Sequence, residues 1–361
     1  MCMNTTMQTM KETGKKRIWA DYQKDIPDDH YFFVRSCIRQ TFFPGSEQFF
    51  LNFLRSIGKD IYEDPEHTTC TGIGYHGDVV PFDTIMTVVA RHFSQATAKG
   101  YRNIAISCVT SFGIYSEILE TWKHFPETLE KTRESLFRAT GREFEVPEYI
   151  AHASDIIYKY RDEIAARMKY PLMDQYKGKP LRIVEHIGCH YAKMFPKYGF
   201  GGAEFPHVLA GMIEAWGGEV IDYPERRHCC GFGFRHYLVQ ANRGYSVANA
   251  KKKFESMQPY KPDLVIANCP GCTMFMDRWQ YTIREMEGTM YGEGGLTGIP
   301  VLTYEELAGI VLGNDPWVLG VQYHNVQSDR FMARMGIPFD RDMKFISKEG
   351  ERLSEPEGLM V

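Results

Sequence analysis

Short apolar runs alternate with longer stretches of helical period along most of the chain. Tyr31-Phe32-Phe33-Val34 predicts a buried strand that delivers Cys37 at its end. Ser46 is placed to cap a helix over Glu47–Ile57. A longer helical pattern covers Asp83–Ala98 and stops at Gly100, and Asn103–Ser107 is a strand that runs into Cys108. Helix resumes to about Trp122, and a charged helical stretch follows over Pro126–Arg138. The same order returns downstream. Leu181–His186 is a strand ending at Cys189, and Phe205–Trp216 is a helix stopped by Gly217-Gly218. Glu219–Asp222 is a strand, a helix reaches about Met257, and Asp263–Ala267 is a strand ending at Cys269-x-x-Cys272, with helix after it.

The two halves read as copies. Cys37 to Cys189 is 152 residues and Cys108 to Cys269 is 161. Each half closes on a similar phrase, Val146-Pro147 before Asp155-Ile156-Ile157 and Ile299-Pro300 before Glu306-Leu307-Ala308. An offset held this steadily predicts internal duplication. Strand–helix alternation predicts an α/β fold, two Rossmann-like units with mainly parallel sheets. The boundaries read as a polar N-terminal tail (1–30), a first unit (31–175), a second unit (176–315) and a C-terminal extension (316–361). The Pro126–Arg138 stretch has no counterpart in the second half and is expected to pack between units or to meet a partner.

Cysteine placement changes the picture most. Five of the nine cysteines lie between Gly188 and Trp279: Cys189, then Cys229-Cys230-Gly231, then Cys269-Pro270-Gly271-Cys272. Thiolates gathered this way select zinc, copper(I) or iron–sulfur units over hard cations. A C-x-x-C brings two sulfurs to one centre from a single turn, whereas an adjacent Cys-Cys pair suits two neighbouring metals better than one. Five thiolates also exceed the four of a structural zinc site. A multi-iron cluster therefore fits better than zinc, although zinc on four of the five stays open. A disulfide framework fits poorly, because such chains are usually short and secreted.

This spacing resembles the CCG domain, which occurs twice in the B subunit of heterodisulfide reductase. The resemblance spans about Phe32 to Gly313. It implies a non-cubane [4Fe–4S] cluster held by Cys189, Cys229, Cys230, Cys269 and Cys272. The first half departs from that pattern. Aligning the copies sets Cys70 opposite Cys229, Thr71 opposite Cys230, Cys108 opposite Cys269 and Ser111 opposite Cys272. Three sulfurs remain, Cys37, Cys70 and Cys108, and a hydroxyl is a far weaker donor than a thiolate. Three outcomes stay open for this degenerate site: a cubane with one iron open or bound by Ser111, a smaller cluster or zinc, or free thiols that could carry sulfur.

Other features bound the function. Net charge is −4 with both signs mixed, which gives no footprint for nucleic acid. No run of about 18 apolar residues is present, and Met1–Arg17 has no apolar signal core, so a cytoplasmic protein is expected. Cys2, in that tail, reads as a bystander. Gly72-x-Gly74-x-x-Gly77 matches a dinucleotide fingerprint only in letters. Polar His67-Thr68-Thr69 precede it, and no acidic residue lies between Arg91 and Ala105. Among the histidines near the cysteines (His186, His190, His228, His236), His190 and His228 adjoin ligand cysteines and are the candidate proton donors. Tyr191, Phe195, Phe200, Phe232 and Phe234 read as packing that keeps water off a cluster.

The resemblance implies electron transfer coupled to making or breaking a sulfur–sulfur bond. With one site degraded, the chain looks most like the divergent B subunit of heterodisulfide-reductase-like complexes of sulfur oxidisers. The implied partners are the ferredoxin-like and the flavin-containing subunits of such a complex. A thiol, disulfide or protein-carried sulfur, for instance on a lipoate-type carrier, is the implied substrate. A pure electron relay and a structural zinc protein are the alternatives.

Overall fold

The structure, a computed structural model, describes residues 26–67, 70–72, 80–192, 207–232, 244–287 and 298–340. Cys2, Phe195, Phe200, Phe234, His236 and most of the Gly72–Gly77 stretch lie outside them.

The first unit runs β1 (Tyr31–Val34), α1 (Cys37–Phe42), α2 (Pro44–Ser56), β2 (Ile61–Glu63), α3 (Phe82–Ala98), β3 (Asn103–Ile106), α4 (Val109–His124), α5 (Pro126–Thr140), β4 (Tyr149–His152) and α6 (Ala153–Lys159). Helix α7 (Arg161–Arg167) and a small hairpin, β5 (Met173–Asp174) with β6 (Lys179–Pro180), lead to the second unit. That unit runs β7 (Arg182–His186), α8 (Cys189–Ala192), α9 (Val208–Ala215), β8 (Glu219–Val220), α10 (Gly244–Met257), β9 (Leu264–Ala267), α11 (Pro270–Glu287), β10 (Val301–Thr303) and α12 (Tyr304–Leu312). Two short helices follow, α13 (Pro316–Leu319) and α14 (Asp329–Arg334).

Each unit carries a four-stranded, all-parallel sheet. The orders are β2-β1-β3-β4 and β8-β7-β9-β10, so the duplication seen in the cysteines is a duplication of topology. The central strands are apolar because both sheet faces are covered. β1 and β9 are buried at every position. In the first unit Phe33, Phe50 and Phe53 are inaccessible to solvent, each such side chain contributing about 1.5–3 kcal/mol of burial. β2 has no strand signal of its own in the sequence. Three residues are too few to show a period, and the strand exists by pairing with β1.

Helix ends follow local chemistry. Thr303 and Glu306 form a capping box at the start of α12, which ends on Gly313 at φ +95°. Pro126 opens α5, and Gly141 at φ +67° closes it. Helix α5 packs on α3 and α4, within the first unit.

The units meet through α2 against α12, α9 against α6, and α4 against α8. Segment 316–340 lies over this junction. His324 Nε2 bonds Glu306 at 3.0 Å, and the backbone N–H groups of Asn325 and Val326 donate to Asp277 at 2.6 and 2.9 Å. Arg334 reaches Asp174 at 2.9 Å and also pairs with Asp263. In parallel sheets ligands sit beyond the carboxyl ends of the strands. Cys37, Cys108, Cys189 and Cys269 all stand there, each at the turn from a strand into a helix.

Candidate functional site

The second unit brings its five predicted cysteines together. Cys189 opens α8, Cys229 and Cys230 lie in the turn ahead of α10, and Cys269 immediately precedes Pro270 at the start of α11. The Cys230 and Cys272 sulfurs are 3.1 Å apart. Cys189 and Cys229 are hydrogen-bonded to each other, as are Cys229 and Cys230, and Cys269 and Cys272. Cys230, Cys269 and Cys272 are buried, while Cys189 and Cys229 are half-buried and line a cavity with His186, Arg226 and His228.

Backbone freedom lets the loops converge. Gly231 sits at φ +96°, and a Cβ there would stand 2.6 Å from the Ser246 carbonyl oxygen. Gly188 lies between the two units, since a Cβ on it would be 2.8 Å from both Cys269 Cβ and Val109 Cγ1. A side chain at either position would push the sulfur-bearing loops apart.

Charge is distributed unevenly over the sulfurs. Cys229 accepts from the Cys189 and Cys230 thiols, then from the Gly231 N–H at 3.3 Å, and is drawn down to about 2. Cys269 is lowered by the Cys272 thiol first, then by the N–H groups of Cys272 and Gly271 and the charge of Arg39. Cys189, Cys230 and Cys272 are raised instead, each chiefly by its hydrogen bond with a neighbouring cysteine. This donor set fits a sulfur-ligated multi-metal group. Cys189, Cys229, Cys230 and Cys272 line one cavity, Cys269 is hydrogen-bonded to Cys272, and His186 is the only nitrogen donor grouped with them among the described residues: its ring and the Cys230 and Cys272 sulfurs lie within 4.8 Å of one another.

The surrounding residues hold the Cys-Cys loop. Buried Lys253 on α10 donates to Glu225 O at 2.7 Å, Tyr223 Oη at 2.9 Å and Arg226 O at 3.1 Å, and burial pushes it down to about 7. Arg226 pairs with buried Glu185 on β7, and Glu185 also accepts from the Ala210 N–H at 2.8 Å. His228 lies 3.5 Å from Glu225 and lines the cavity. His190 faces the other way, with Nδ1 3.4 Å from Thr110 Oγ1 of the first unit, and burial lowers its pKa.

The first unit also gathers its three sulfurs. Cys37 and Cys70 are exposed and hydrogen-bonded to each other, and both act electrostatically with Cys108. Burial first, and then the nearby charge of Cys269, push Cys108 up to about 11. Thr71 and Ser111, which stand where the second unit has cysteines, satisfy each other: Thr71 Oγ1 donates to Ser111 Oγ at 3.0 Å. Ser111 in turn hydrogen-bonds Cys108.

Four residues of this region carry no sequence signal. Arg39, Glu185, Lys253 and Asn268 act through partners distant in the chain, and no motif marks them.

Comparison with known proteins agrees with this geometry. A family described as the CCG cysteine-rich domain matches residues 183–277, the stretch that holds all five second-site cysteines. The chain is 28% identical over 324 residues to the B subunit of the Ferredoxin:CoB-CoM heterodisulfide reductase of Methanosarcina acetivorans, covering 87% of this chain and 98% of that protein. The B subunit of the Ferredoxin/F(420)H(2)-dependent CoB-CoM heterodisulfide reductase of the same organism is 25% identical, over 83% of this chain and 95% of the relative. The chain is thus similar to heterodisulfide reductase B subunits over most of its length. Among solved structures, a hypothetical protein from Helicobacter pylori shares the fold of this chain at a TM-score of 0.60 and 13% identity, with 86% of this chain covered and 57% of that one. Among the described residues of this chain, no helix is long and apolar enough to cross a membrane.

Proposed function

We propose that the chain is the iron–sulfur subunit of a heterodisulfide-reductase-like complex, and that Cys189, Cys229, Cys230, Cys269 and Cys272 hold a non-cubane [4Fe–4S] cluster. One observation carries this reading: thiols from three separated segments converge, four of them lining a single cavity and the fifth, Cys269, hydrogen-bonded to Cys272. Such a group, when bound, supplies electrons one at a time and open iron for a sulfur ligand.

The chain's own residues do the rest. The cavity is lined by the half-buried Cys189 and Cys229 together with Cys230 and Cys272, and Cys230, Cys269 and Cys272 are buried. Reduction of a disulfide consumes two electrons and two protons and releases two thiols. The electrons come from partner proteins of the complex, one ferredoxin-like and one containing flavin. His228, at the cavity wall, is placed to pass a proton to a departing thiolate, and His190 is set further back. Run in reverse, the same balance oxidises thiols or protein-carried sulfur, as in the sulfur-oxidising complexes the chain resembles.

At the first site the hydroxyls of Thr71 and Ser111 are engaged with each other, which supports a three-sulfur site of Cys37, Cys70 and Cys108. Anaerobic purification tests the whole reading. Brown protein with about four iron and four labile sulfide per chain is expected, and up to about eight if the first site is also filled. A thiol or disulfide should change the EPR spectrum of the second site. Colourless protein containing zinc would overturn the assignment, and iron whose spectrum ignores thiols would leave only an electron relay.

A further inference from the structure

Arg39 stands where the two units and the two sulfur sites meet. It is two residues beyond Cys37 on α1, and its side chain is completely buried. Nε donates to the carbonyl of Ser107 at 3.0 Å and Nη2 to the carbonyl of Asn268 at 3.2 Å. Ser107 immediately precedes Cys108, and Asn268 immediately precedes Cys269. The Asn268 side chain accepts the Gly188 N–H at 2.9 Å, one residue before Cys189. A single guanidinium therefore grips the strand ends that present a cysteine in each unit, and through Asn268 it steadies a third.

The second unit returns the contact. Tyr191, two residues beyond Cys189, donates its hydroxyl to Asp155 near the start of α6, just as Arg39 pairs with Glu305 near the start of α12. The two contacts differ in charge. The reach from the first unit carries a permanent cation, and the reach from the second does not.

Two carboxylates and a ring face that cation. Glu305 is ion-paired with it, Glu47 lies close enough to act on it, and the Tyr304 ring centroid is 5.2 Å away. Even so, Arg39 Nη2 lies 3.2 Å from the carbonyl of Asn268, the residue before Cys269, so the charge stands one peptide away from a second-site sulfur. The ion pair is therefore not electrically silent toward the second site. In a buried, low-dielectric setting a nearby positive charge favours the more negative, reduced form of a bound group.

We propose that Arg39 is a positioning residue shared by both sulfur sites, and that its charge raises the reduction potential of the cluster held by the second. This rests on the five-cysteine cluster reading above, and the experiment separates the two. Wild type, Glu305→Gln, Arg39→Met with Glu305→Gln, and Arg39→Lys are purified anaerobically at pH 8.5. Iron, labile sulfide and the EPR-monitored midpoint are then measured. Removing Glu305 in the same protein avoids leaving a buried carboxylate unpaired. Relative to Glu305→Gln, the double variant is expected to keep its iron and to show a reduction equilibrium constant at least about tenfold smaller, a fall of about 59 mV for a one-electron couple. Arg39→Lys, which keeps the charge, should stay within about threefold of wild type. If the double variant fails to fold, Arg39→Lys decides, and a tenfold fall in that variant overturns the charge role. An unchanged midpoint in an iron-replete double variant overturns the proposal while the cluster reading stands. Iron-free wild type overturns both.

Discussion

The sulfurs of Cys230 and Cys272, 42 residues apart in the chain, lie 3.1 Å from each other in the buried floor of the second site. Cys230 is also the second member of the adjacent pair, hydrogen-bonded to Cys229. Replacing it with serine removes the sulfur that links the Cys-Cys loop to the C-x-x-C turn and substitutes a hydroxyl that resists deprotonation. Cys230→Ser is expected to lose or convert the second-site cluster, seen as a fall in iron and sulfide per chain and a changed EPR signal. Cys2→Ser should do neither. Unaltered iron in Cys230→Ser would show that the ligand assignment is wrong.

Gly231 permits that geometry. At φ +96°, with the Ser246 carbonyl 2.6 Å from where a Cβ would stand, alanine faces both backbone strain and a collision with another backbone segment. Gly231→Ala should cost about 1–3 kcal/mol and lower iron retention together with Tm. The control is Gly141→Ala, which also has positive φ (+67°) but nothing within 4 Å, so it should lose stability without losing iron.

The contrast between legible and illegible parts of the chain is physical. The parallel sheets announce themselves, because strands covered on both faces must be apolar throughout, as at Tyr31–Val34 and Leu264–Ala267. The five cysteines are legible because metal ligation leaves its donors in sequence. Arg39 is not legible, since its two carbonyl partners are 68 and 229 residues away and any backbone carbonyl serves as an acceptor. The Thr71–Ser111 bond is hidden for a similar reason: the alignment of the halves shows that two sulfurs are missing, but not that the replacing hydroxyls turn to each other across 40 residues.

Lys253 is the brace of the Cys-Cys loop. Its ammonium donates to two carbonyls and a phenol between Tyr223 and Arg226, just ahead of Cys229. Lys253→Met keeps the stem's packing and removes all three bonds. A loss of roughly 2–4 kcal/mol in urea unfolding is expected, with faster loss of iron to a chelator. Lys252→Met is the comparison: that side chain is exposed and pairs with Glu225 at 2.9 Å, and exposed pairs contribute little. Equal chelation rates in the two variants would argue that the loop is held by packing alone.

The pH dependence of stability isolates the contact between units at Tyr191 and Asp155. Asp155 is fully buried and accepts from the Tyr191 hydroxyl, and burial pushes its carboxyl up to about 8 from an ordinary 3.8. Between those values the folded chain keeps a proton that the unfolded chain has released, so the folded state binds more protons and stability falls as pH rises. The contribution is fully present below about pH 4 and lost on passing through pH 8, at no more than about 1.4 kcal/mol per pH unit. Glu305, pushed up to about 7 by burial, adds a slope of the same sign. Asp155→Asn cannot titrate, yet it retains an oxygen to accept from Tyr191. Its urea midpoint should therefore decline less steeply than wild type between about pH 5 and 8, with the Glu305 slope remaining. Parallel midpoints over that range would place the Asp155 proton elsewhere.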